Sequence, residues 1–365
     1  CFFLQLYFSY KIILHFTKSK LFSFTSSLFF IIAPIFIHRL GMHVALSGQW
    51  ILILTLYLGL TKTYEKSKLP WIAVIAISSL IHFYFTLIIS IVFILFRISD
   101  FFVNKEKFSK ITKSLLITFI PLVFIMYLSG YFEIRATDTL GLGFGVLKLN
   151  ILSIFDPGIS SKYLTWSWIL PDIKLTKEEE LEGFNYLGLG QILMVLLSLI
   201  LLIKNNLKKN LIYFENDKKI KTFTFISIIL TFLALSNKIS IGTFTIIEIP
   251  LNEIIYASLS LFRASGRLFW IVNYFLIFIS LLIIFKSFDA KKSLLLIIIL
   301  FTIQILDSSA GLKNYIKLNA FTKNTYSFSL KDPIWKKITE KNKIVKTTYP
   351  ETYSTKFPIF SYFYE

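Results

Sequence analysis

The chain has 365 residues, of which 55% are hydrophobic and only 16% are charged. Its mean hydropathy is +0.69. A water-soluble protein of this size could not bury that much apolar surface, so the expected solvent is lipid. The formal net charge of +18 does not indicate a nucleic-acid partner, because the lysines lie in short clusters between apolar segments, as cytoplasmic loops do. We therefore expect an all-α, polytopic integral membrane protein.

Apolar segments close to the ~20 residues that span a bilayer recur along the chain, and several are short. They are predicted at residues 1–16, 21–37, 44–60, 70–96, 111–130, 185–203, 222–236, 268–286 and 292–306. Lysine-rich loops orient them, so the loops at 131–184 and 237–267 lie on the outer face. The sequence predicts roughly nine to ten transmembrane segments within 1–306, followed by the start of a soluble outer-face domain at 307–365.

The lysine clusters on both sides of residues 70–96 indicate cytoplasmic loops, so this segment should cross the membrane an even number of times. One helix of this length would measure about 40 Å, which is too long for one span and too short for two. Ser78, Ser79 and His82 make its middle the most polar part, so we predict two half-helices that meet near His82. One tilted helix, with loop 61–69 outside, is the alternative.

Cys1 is the only cysteine, which excludes disulfide bonds and a cysteine-based metal site within one chain. An apolar segment follows it at once, without an initiating Met, so we expect a fragment that lacks residues at both ends. The histidines, at 15, 38, 43 and 82, are too scattered to indicate zinc. No cofactor is assigned, and a divalent metal ion stays open as an alternative.

The unusual polar residues converge on the predicted outer face, and two arginines stand out. Arg263 and Arg267 are spaced so that one helix face would present both guanidiniums to a single anion. Gly266 between them would let a ligand approach the backbone. An ion pair with Glu248 or Glu253 is the alternative. Arg39 and His43 likewise have a plain alternative, as interfacial side chains that anchor a helix end.

Four motifs carry a family resemblance that covers residues from about 20 to 310. They are Arg39-Leu-Gly-Met-His43 with Gln49-Trp50, Thr137-Asp-Thr-Leu-Gly-Leu-Gly-Phe-Gly145, Glu182-Gly-Phe-Asn-Tyr-Leu-Gly-Leu-Gly190 and Phe262-Arg-Ala-Ser-Gly-Arg-Leu-Phe-Trp270. Together they resemble a bacterial family of polytopic membrane proteins of unknown function, which is similar to the GT-C membrane glycosyltransferases. The chain departs from that pattern at Gly48 and Gln49, where the family often has Ala and His.

The resemblance implies a GT-C-like bundle in the bacterial inner membrane that transfers a sugar from a polyprenyl-phosphate donor to a glycan or lipid acceptor at the outer face. The main catalytic carboxylate would precede Cys1. Arg39, Arg263 and Arg267 would bind the donor phosphate, and His43 would help to deprotonate the acceptor. The expected lining of the same cavity is Gln49, His82, Asp138 and Trp270. A transporter or flippase of envelope lipids or glycans is the alternative function, and a non-catalytic membrane scaffold is a third.

Overall fold

A computed structural model of the protein is mostly helical. It describes residues 1–61, 67–133, 144–159, 164–175, 182–207, 217–260 and 262–320. The helices are, in chain order, α1 Phe2–Thr17, α2 Lys20–Ile31, α3 Pro34–Met42, α4 Trp50–Leu60, α5 Leu69–Ile81, α6 Phe83–Val103, α7 Phe108–Leu128, α8 Leu189–Leu207, α9 Lys218–Leu235, α10 Glu253–Ser260, α11 Trp270–Ser287 and α12 Ala290–Ala320.

Two small antiparallel hairpins interrupt the helical pattern. β1 (Gly158–Ile159) pairs with β2 (Leu164–Thr165) in the loop before α8. β3 (Lys238–Ile241) pairs with β4 (Phe244–Glu248) between α9 and α10. Asn150 holds the turn of the second hairpin, since its side chain accepts from the Gly242 N–H and donates to the Gly242 carbonyl oxygen. Both hairpins therefore belong to the loops that join the apolar helices.

α11 is the central helix of the bundle. It packs against α1, α2, α4, α8 and α9. Its side chains are apolar around nearly the whole circumference, which is typical of a helix buried on all sides. Trp270, Tyr274 and Phe278 are completely buried along it. The first turn of α11 is therefore fixed by packing, and this turn adjoins Arg267.

A proline breaks the second apolar segment. Pro34 has no N–H, and the residue before a proline avoids the α conformation, so α2 ends before Ala33 and α3 begins at Pro34 at an angle of 51°. Buried amide side chains bind carbonyl oxygens around this break. Gln5 donates to Phe30 O, Gln191 to Phe29 O and Gln49 to Ile35 O, at 3.0–3.2 Å. Irregular backbone inside a membrane needs such partners.

The predicted turn near His82 is confirmed. His82 has extended backbone between α5 and α6, and its Nδ1 accepts a hydrogen bond from the Tyr84 N–H, which caps α6. The two helices pack against each other. They differ in length, because α5 has 13 residues whereas α6 continues for 21, to Val103, and is long enough to span a bilayer.

The apolar helices of the described residues differ in length. Among the described residues, four helices are long and apolar enough to cross a membrane, or five if the bent α2–α3 pair counts as one span. Shorter apolar helices are Val44–Leu60, Leu69–Ile81 and Leu189–Lys204. The prediction of nine to ten segments included these short ones, and that number stays a prediction.

α12 packs closely against the start of α8. A Cβ on Gly188 or Gly190 would collide with Gln304 or with the Leu300 carbonyl oxygen, so these glycines allow the contact. Asp307 also holds this helix in place. Its carboxylate accepts hydrogen bonds from the Tyr186 hydroxyl (2.8 Å), the Ser167 hydroxyl and the Leu189 N–H.

The predicted domain boundary at 306/307 falls within α12, which continues without a break to Ala320. The first compact unit extends over Cys1–Lys317, and the second is Leu318–Glu365. Of the second unit, residues 321–365 lie outside the described residues. The outer-face soluble domain stays a prediction.

Candidate functional site

Three charged residues from distant parts of the chain meet beside the first turn of α11. Arg39 lies in the last turn of α3. Glu182 follows the long outer loop, a few residues before α8. Arg267 belongs to a 3₁₀ turn, Ser265–Phe269, that leads into α11. We call these residues the Arg39–Glu182–Arg267 trio.

A single carboxylate oxygen joins the trio. Glu182 Oε2 accepts from Arg267 Nε at 2.8 Å and lies 2.7 Å from Arg267 Nη2. Arg39 Nη2 is 3.2 Å from the same oxygen. The side chain of Arg39 is 2% exposed, and those of Glu182 and Arg267 are 10% exposed. Two guanidiniums and one carboxylate therefore form an ion cluster that is largely shielded from solvent.

Two aromatic rings cover the guanidiniums. The Arg39 guanidinium lies 5.3 Å from the centre of the Trp270 ring, and the Arg267 guanidinium lies 4.5 Å from the centre of the Tyr84 ring. Both are cation–π distances, at which the ring face attracts the cation. The Tyr84 hydroxyl accepts from the Ala264 N–H at 2.8 Å, which ties the start of α6 to the chain just before Arg267. The two cations are thus held in fixed positions.

The neighbouring guanidiniums change the pKa of the Glu182 carboxyl. Burial by itself would raise the pKa of its carboxyl, but the guanidiniums of Arg39 and Arg267 more than offset burial. The pKa of Glu182 therefore lies below its ordinary value of 4.5, and His43 contributes in the same direction. At neutral pH the carboxylate is ionised and neutralises one of the two guanidiniums.

Gly266 is where three stretches of backbone meet. A Cβ there would lie 3.0 Å from Gly183 Cα and from the Lys148 carbonyl carbon. The Gly266 N–H donates to the Leu147 carbonyl oxygen at 3.2 Å. The expectation that a ligand approaches the backbone at Gly266 is therefore wrong, because the protein's own backbone occupies that space. The glycine instead allows the Glu182 segment to reach Arg267.

Buried polar atoms without a hydrogen-bond partner lie close to the trio, within the part of the chain that the structure describes. They are His38 Nε2, Asn185 Oδ1, Trp270 Nε1 and Asn273 Oδ1. Asn185 is anchored beside the trio, since its Nδ2 donates to the carbonyl oxygens of Gly183 and Gly266. Buried polar groups are normally hydrogen-bonded, so such a group of exceptions is typical of a site that binds a polar ligand or water.

The structure brings together only some of the predicted phosphate-binding residues. Arg39 and Arg267 share Glu182, whereas Arg263 is exposed and makes no ion pair or hydrogen bond among the described residues. Arg263 and Arg267 do not lie on one helix face, because the helical turn begins only at Ser265. Arg267 is indeed paired, but with Glu182 rather than with Glu248 or Glu253.

The other predicted site residues occupy different positions around the trio. Trp270 lies under Arg39, and His82 caps α6 next to Tyr84. His43 is exposed at the end of α3. Gln49 is completely buried, and its Oε1 accepts from the Tyr274 hydroxyl at 2.5 Å. Asp138 lies outside the described residues, so its place in the predicted cavity stays a prediction.

Sequence reasoning missed the acid of the site. Glu182 opens one of the four motifs, but it follows the acidic run Glu178-Glu-Glu180 and so resembles the surface of an acidic loop. The available signal was its position beside Gly183, where the loop returns to an apolar segment. Tyr84 was missed too, because an aromatic residue at a helix start is usual at a membrane interface.

A second charged cluster, at the opposite end of α6, provides a contrast. Arg97 pairs with Asp100 and Glu106, and Glu106 also pairs with Lys110. Two bases thus meet two acids, and these four charges balance. Tyr84 and Arg97 are separated by about 20 Å along α6, at a rise of ~1.5 Å per residue. In the Arg39–Glu182–Arg267 trio, by comparison, two guanidiniums share one carboxylate.

Candidate metal ligands do not gather in the described residues, where no group of three or more His, Cys, Asp or Glu side chains could hold an ion. The cationic trio is unsuited to a metal ion, because the two guanidiniums repel one. An anion is the ligand that its charge favours.

Residues 1–309 match the family model described as domain of unknown function DUF6311. The chain belongs to this family. No curated protein and no solved structure matches it. Arg39, Glu182 and Arg267 all lie within the matched range, so the site is part of the domain.

Proposed function

We propose that this DUF6311 chain is a membrane glycosyltransferase that uses a polyprenyl-phosphate-linked sugar at the outer face of the bacterial inner membrane. In this proposal Arg39 and Arg267 bind the donor phosphate. The observation that carries it is the trio itself, in which two buried guanidiniums from distant parts of the chain converge on one carboxylate oxygen. Arginine suits a phosphate because its planar fork matches the phosphate oxygens.

The chemistry of transfer gives the arginines a second task. The acceptor hydroxyl attacks the anomeric carbon of the donor sugar, the bond from that carbon to the phosphate oxygen breaks, and the acceptor proton passes to a base. The phosphate changes from a singly charged diester to a monoester that carries a further negative charge. Fixed cations at this position stabilise the developing charge. His43, which is exposed near the trio, is our candidate for the base.

The buried polar residues favour this function over a transporter. A transporter would have a polar path through the middle of the bundle. Gln5, Gln49 and Gln191 are buried there, but each donates to a carbonyl oxygen near the break between α2 and α3. Their positions are therefore explained by helix geometry. A scaffold would also pair its arginines internally, but it has no use for buried polar atoms without a hydrogen-bond partner beside them, such as Asn185 Oδ1 and Trp270 Nε1.

Binding of a polyprenyl-phosphate monosaccharide to the purified protein tests the proposal. Arg267→Ala removes one of the two phosphate-binding guanidiniums, and we expect the affinity to fall by at least about tenfold, or 1.4 kcal/mol. Arg263→Ala is the matched control, since it removes the same side chain four residues away, from an exposed position outside the trio.

We expect Arg263→Ala to bind like the wild type. Thermal unfolding confirms that each variant is folded. If folded Arg267→Ala keeps the wild-type affinity, the phosphate assignment is wrong. If the wild type fails to bind the lipid at all, the proposed function is wrong.

A further inference from the structure

A cavity opens between α4, α5, α6 and α9, at the opposite end of α6 from the trio. It leaves about 440 Å³ of space that protein atoms do not fill, part of it open to solvent. Its apolar lining includes Trp71, Phe96 and Val103. The start of α9 contributes polar side chains, namely Lys218, Lys219 and Thr222. Cations beside an apolar wall suit a ligand that is itself anionic at one end and apolar at the other.

Lys218 is the lysine of this cavity that is available to a ligand. It is exposed and has no side-chain partner among the residues that the structure describes. Lys219 is held at the edge of the cavity, because its ammonium donates to the Thr61 carbonyl oxygen at 3.2 Å. The neighbouring acid, Asp217, is engaged in capping α9, where its carboxylate accepts from the N–H groups of Lys219 and Ile220.

The other polar groups of the cavity also admit an anion. Asp100 lines the cavity, but its carboxylate contacts the Arg97 guanidinium and accepts from Asn104 Nδ2 at 2.7 Å. The guanidinium offsets the repulsion that this carboxylate would exert on an anion. The hydroxyls of Ser99 and Thr222 are 2.8 Å apart, between α6 and α9. One hydroxyl proton forms that hydrogen bond, so the other can donate to a phosphate oxygen.

An apolar stripe on α9 continues from the cavity along the helix. Lys218, Phe225 and Phe232 follow at intervals of seven residues, which is close to two helical turns, so they share one face. Ile228 lies on the same face between the two phenylalanines. These apolar side chains are 61%, 50% and 63% exposed, in chain order. The stripe fits an acyl chain attached to a phosphate in the cavity, whereas a free phosphate would make no contact with it.

We propose that the cavity binds the phosphate of an anionic phospholipid from the cytoplasmic leaflet. Lys218 contacts the phosphate, and an acyl chain lies along Phe225, Ile228 and Phe232. The lysine distribution predicts that this end of the bundle is cytoplasmic, and basic pockets between transmembrane helices on that side suit anionic headgroups. The site lies about 20 Å from Tyr84 along α6, so it is independent of the proposed transfer reaction.

Titration of the purified protein in neutral detergent, read by native mass spectrometry, tests the inference. The two probes are phosphatidylglycerol, which is anionic, and phosphatidylethanolamine, which has no net charge. We expect the wild type to bind phosphatidylglycerol more tightly. Lys218→Ala should weaken that binding by about fivefold, or ~1 kcal/mol, and leave binding of phosphatidylethanolamine unchanged. Lys218→Arg keeps the charge and should bind like the wild type.

Lys113→Ala is the matched control, because Lys113 is an exposed lysine near the start of α7 that does not line the cavity. We expect it to bind like the wild type. Equal losses in Lys113→Ala and Lys218→Ala would overturn the inference, as would unchanged binding in folded Lys218→Ala or equal affinities of the wild type for the two lipids. The wild-type preference decides the matter if Lys218→Ala does not fold.

Glycerol phosphate, a headgroup without acyl chains, distinguishes a lipid from a free phosphate compound. We expect it to leave phosphatidylglycerol bound when the two are present at equal concentration, because it makes no contact with the stripe on α9. Displacement of the lipid under these conditions would identify a free phosphate compound as the ligand and overturn the assignment of a phospholipid.

Discussion

Two arginines and one glutamate are the residues on which the proposed function depends, and each has a different structural origin. Arg39 is positioned by a short helix that Pro34 begins, and Arg267 by a 3₁₀ turn in front of the central helix. Glu182 reaches them because Gly266 has no side chain, so that the two backbones come within contact distance. A Cβ at Gly266 would lie 3.0 Å from Gly183 Cα and would push the Glu182 segment away from the guanidiniums.

Acid should weaken the fold through Glu182. Its pKa in the folded protein is lowered by Arg39 and Arg267 against the effect of burial, so it stabilises the fold fully above its ordinary pKa of 4.5. This contribution is lost as the pH falls through the lowered pKa. At pH 7 we expect Glu182→Gln to destabilise the protein by about 3–5 kcal/mol, because it leaves two buried guanidiniums without their carboxylate.

Unfolding of the wild type and Glu182→Gln in detergent, between pH 7 and pH 3, measures this difference. The gap in stability should be constant down to about pH 4.5 and then narrow. The exposed Glu133 provides the control substitution, Glu133→Gln, for which we expect no gap. A gap that widens toward acid pH would contradict the assigned direction of the pKa shift.

The helices show which features are encoded locally. The helix breaks at Pro34 and His82 follow from the residues at those positions. Pro34 has no N–H for a helical hydrogen bond, and the segment around His82 is polar. The lengths of α6 and α12 were less predictable. α6 runs past residue 96 into Arg97 and Asp100, because their ion pair allows charged residues within the helix.

Close packing of α8 and α12 depends on Gly190. A Cβ there would collide with the Leu300 carbonyl oxygen, which is backbone and cannot turn aside. We expect Gly190→Ala to separate the helices and to destabilise the protein by about 1–3 kcal/mol, as overpacking does. Thermal unfolding measures the loss.

Gly59→Ala is the matched control for this helix contact. Its Cβ would meet the ring of Phe96, a side chain that can rotate away, so a smaller loss is expected. Equal losses for the two variants would mean that the Leu300 backbone contact is not what limits packing at Gly190.

The two ends of α6 lie beside different charged clusters. Balanced ion pairs surround Arg97 at one end of α6, and the positively charged trio lies near the other end. The lysine distribution predicts that the Arg97 end is cytoplasmic and the trio end is on the outer face. The proposed activity requires this orientation, since its substrates are on the outer side.

Cysteine labelling tests the orientation. Cys1 is the only cysteine, so Cys1→Ser gives a cysteine-free background. In this background we expect Lys105→Cys, between α6 and α7, to react with a membrane-impermeant maleimide only after the cells are opened. Lys174→Cys, in the loop before α8, should react in intact cells. Labelling of both sites in intact cells would contradict the predicted topology.

The sequence by itself predicted that the protein is helical and has apolar helices able to cross a membrane, because hydropathy and helix-breaking residues act locally. It also singled out Arg263 and Arg267, with Arg39 as a third candidate, since charge near an apolar segment is visible without a fold. Only the tertiary structure decided that these two arginines share one carboxylate and that Arg263 is separate from them. Glu182 and Arg267 are 85 residues apart, and no local pattern records such a contact. Packing of the central helix brings them together, so the charge of the site is a property of the fold.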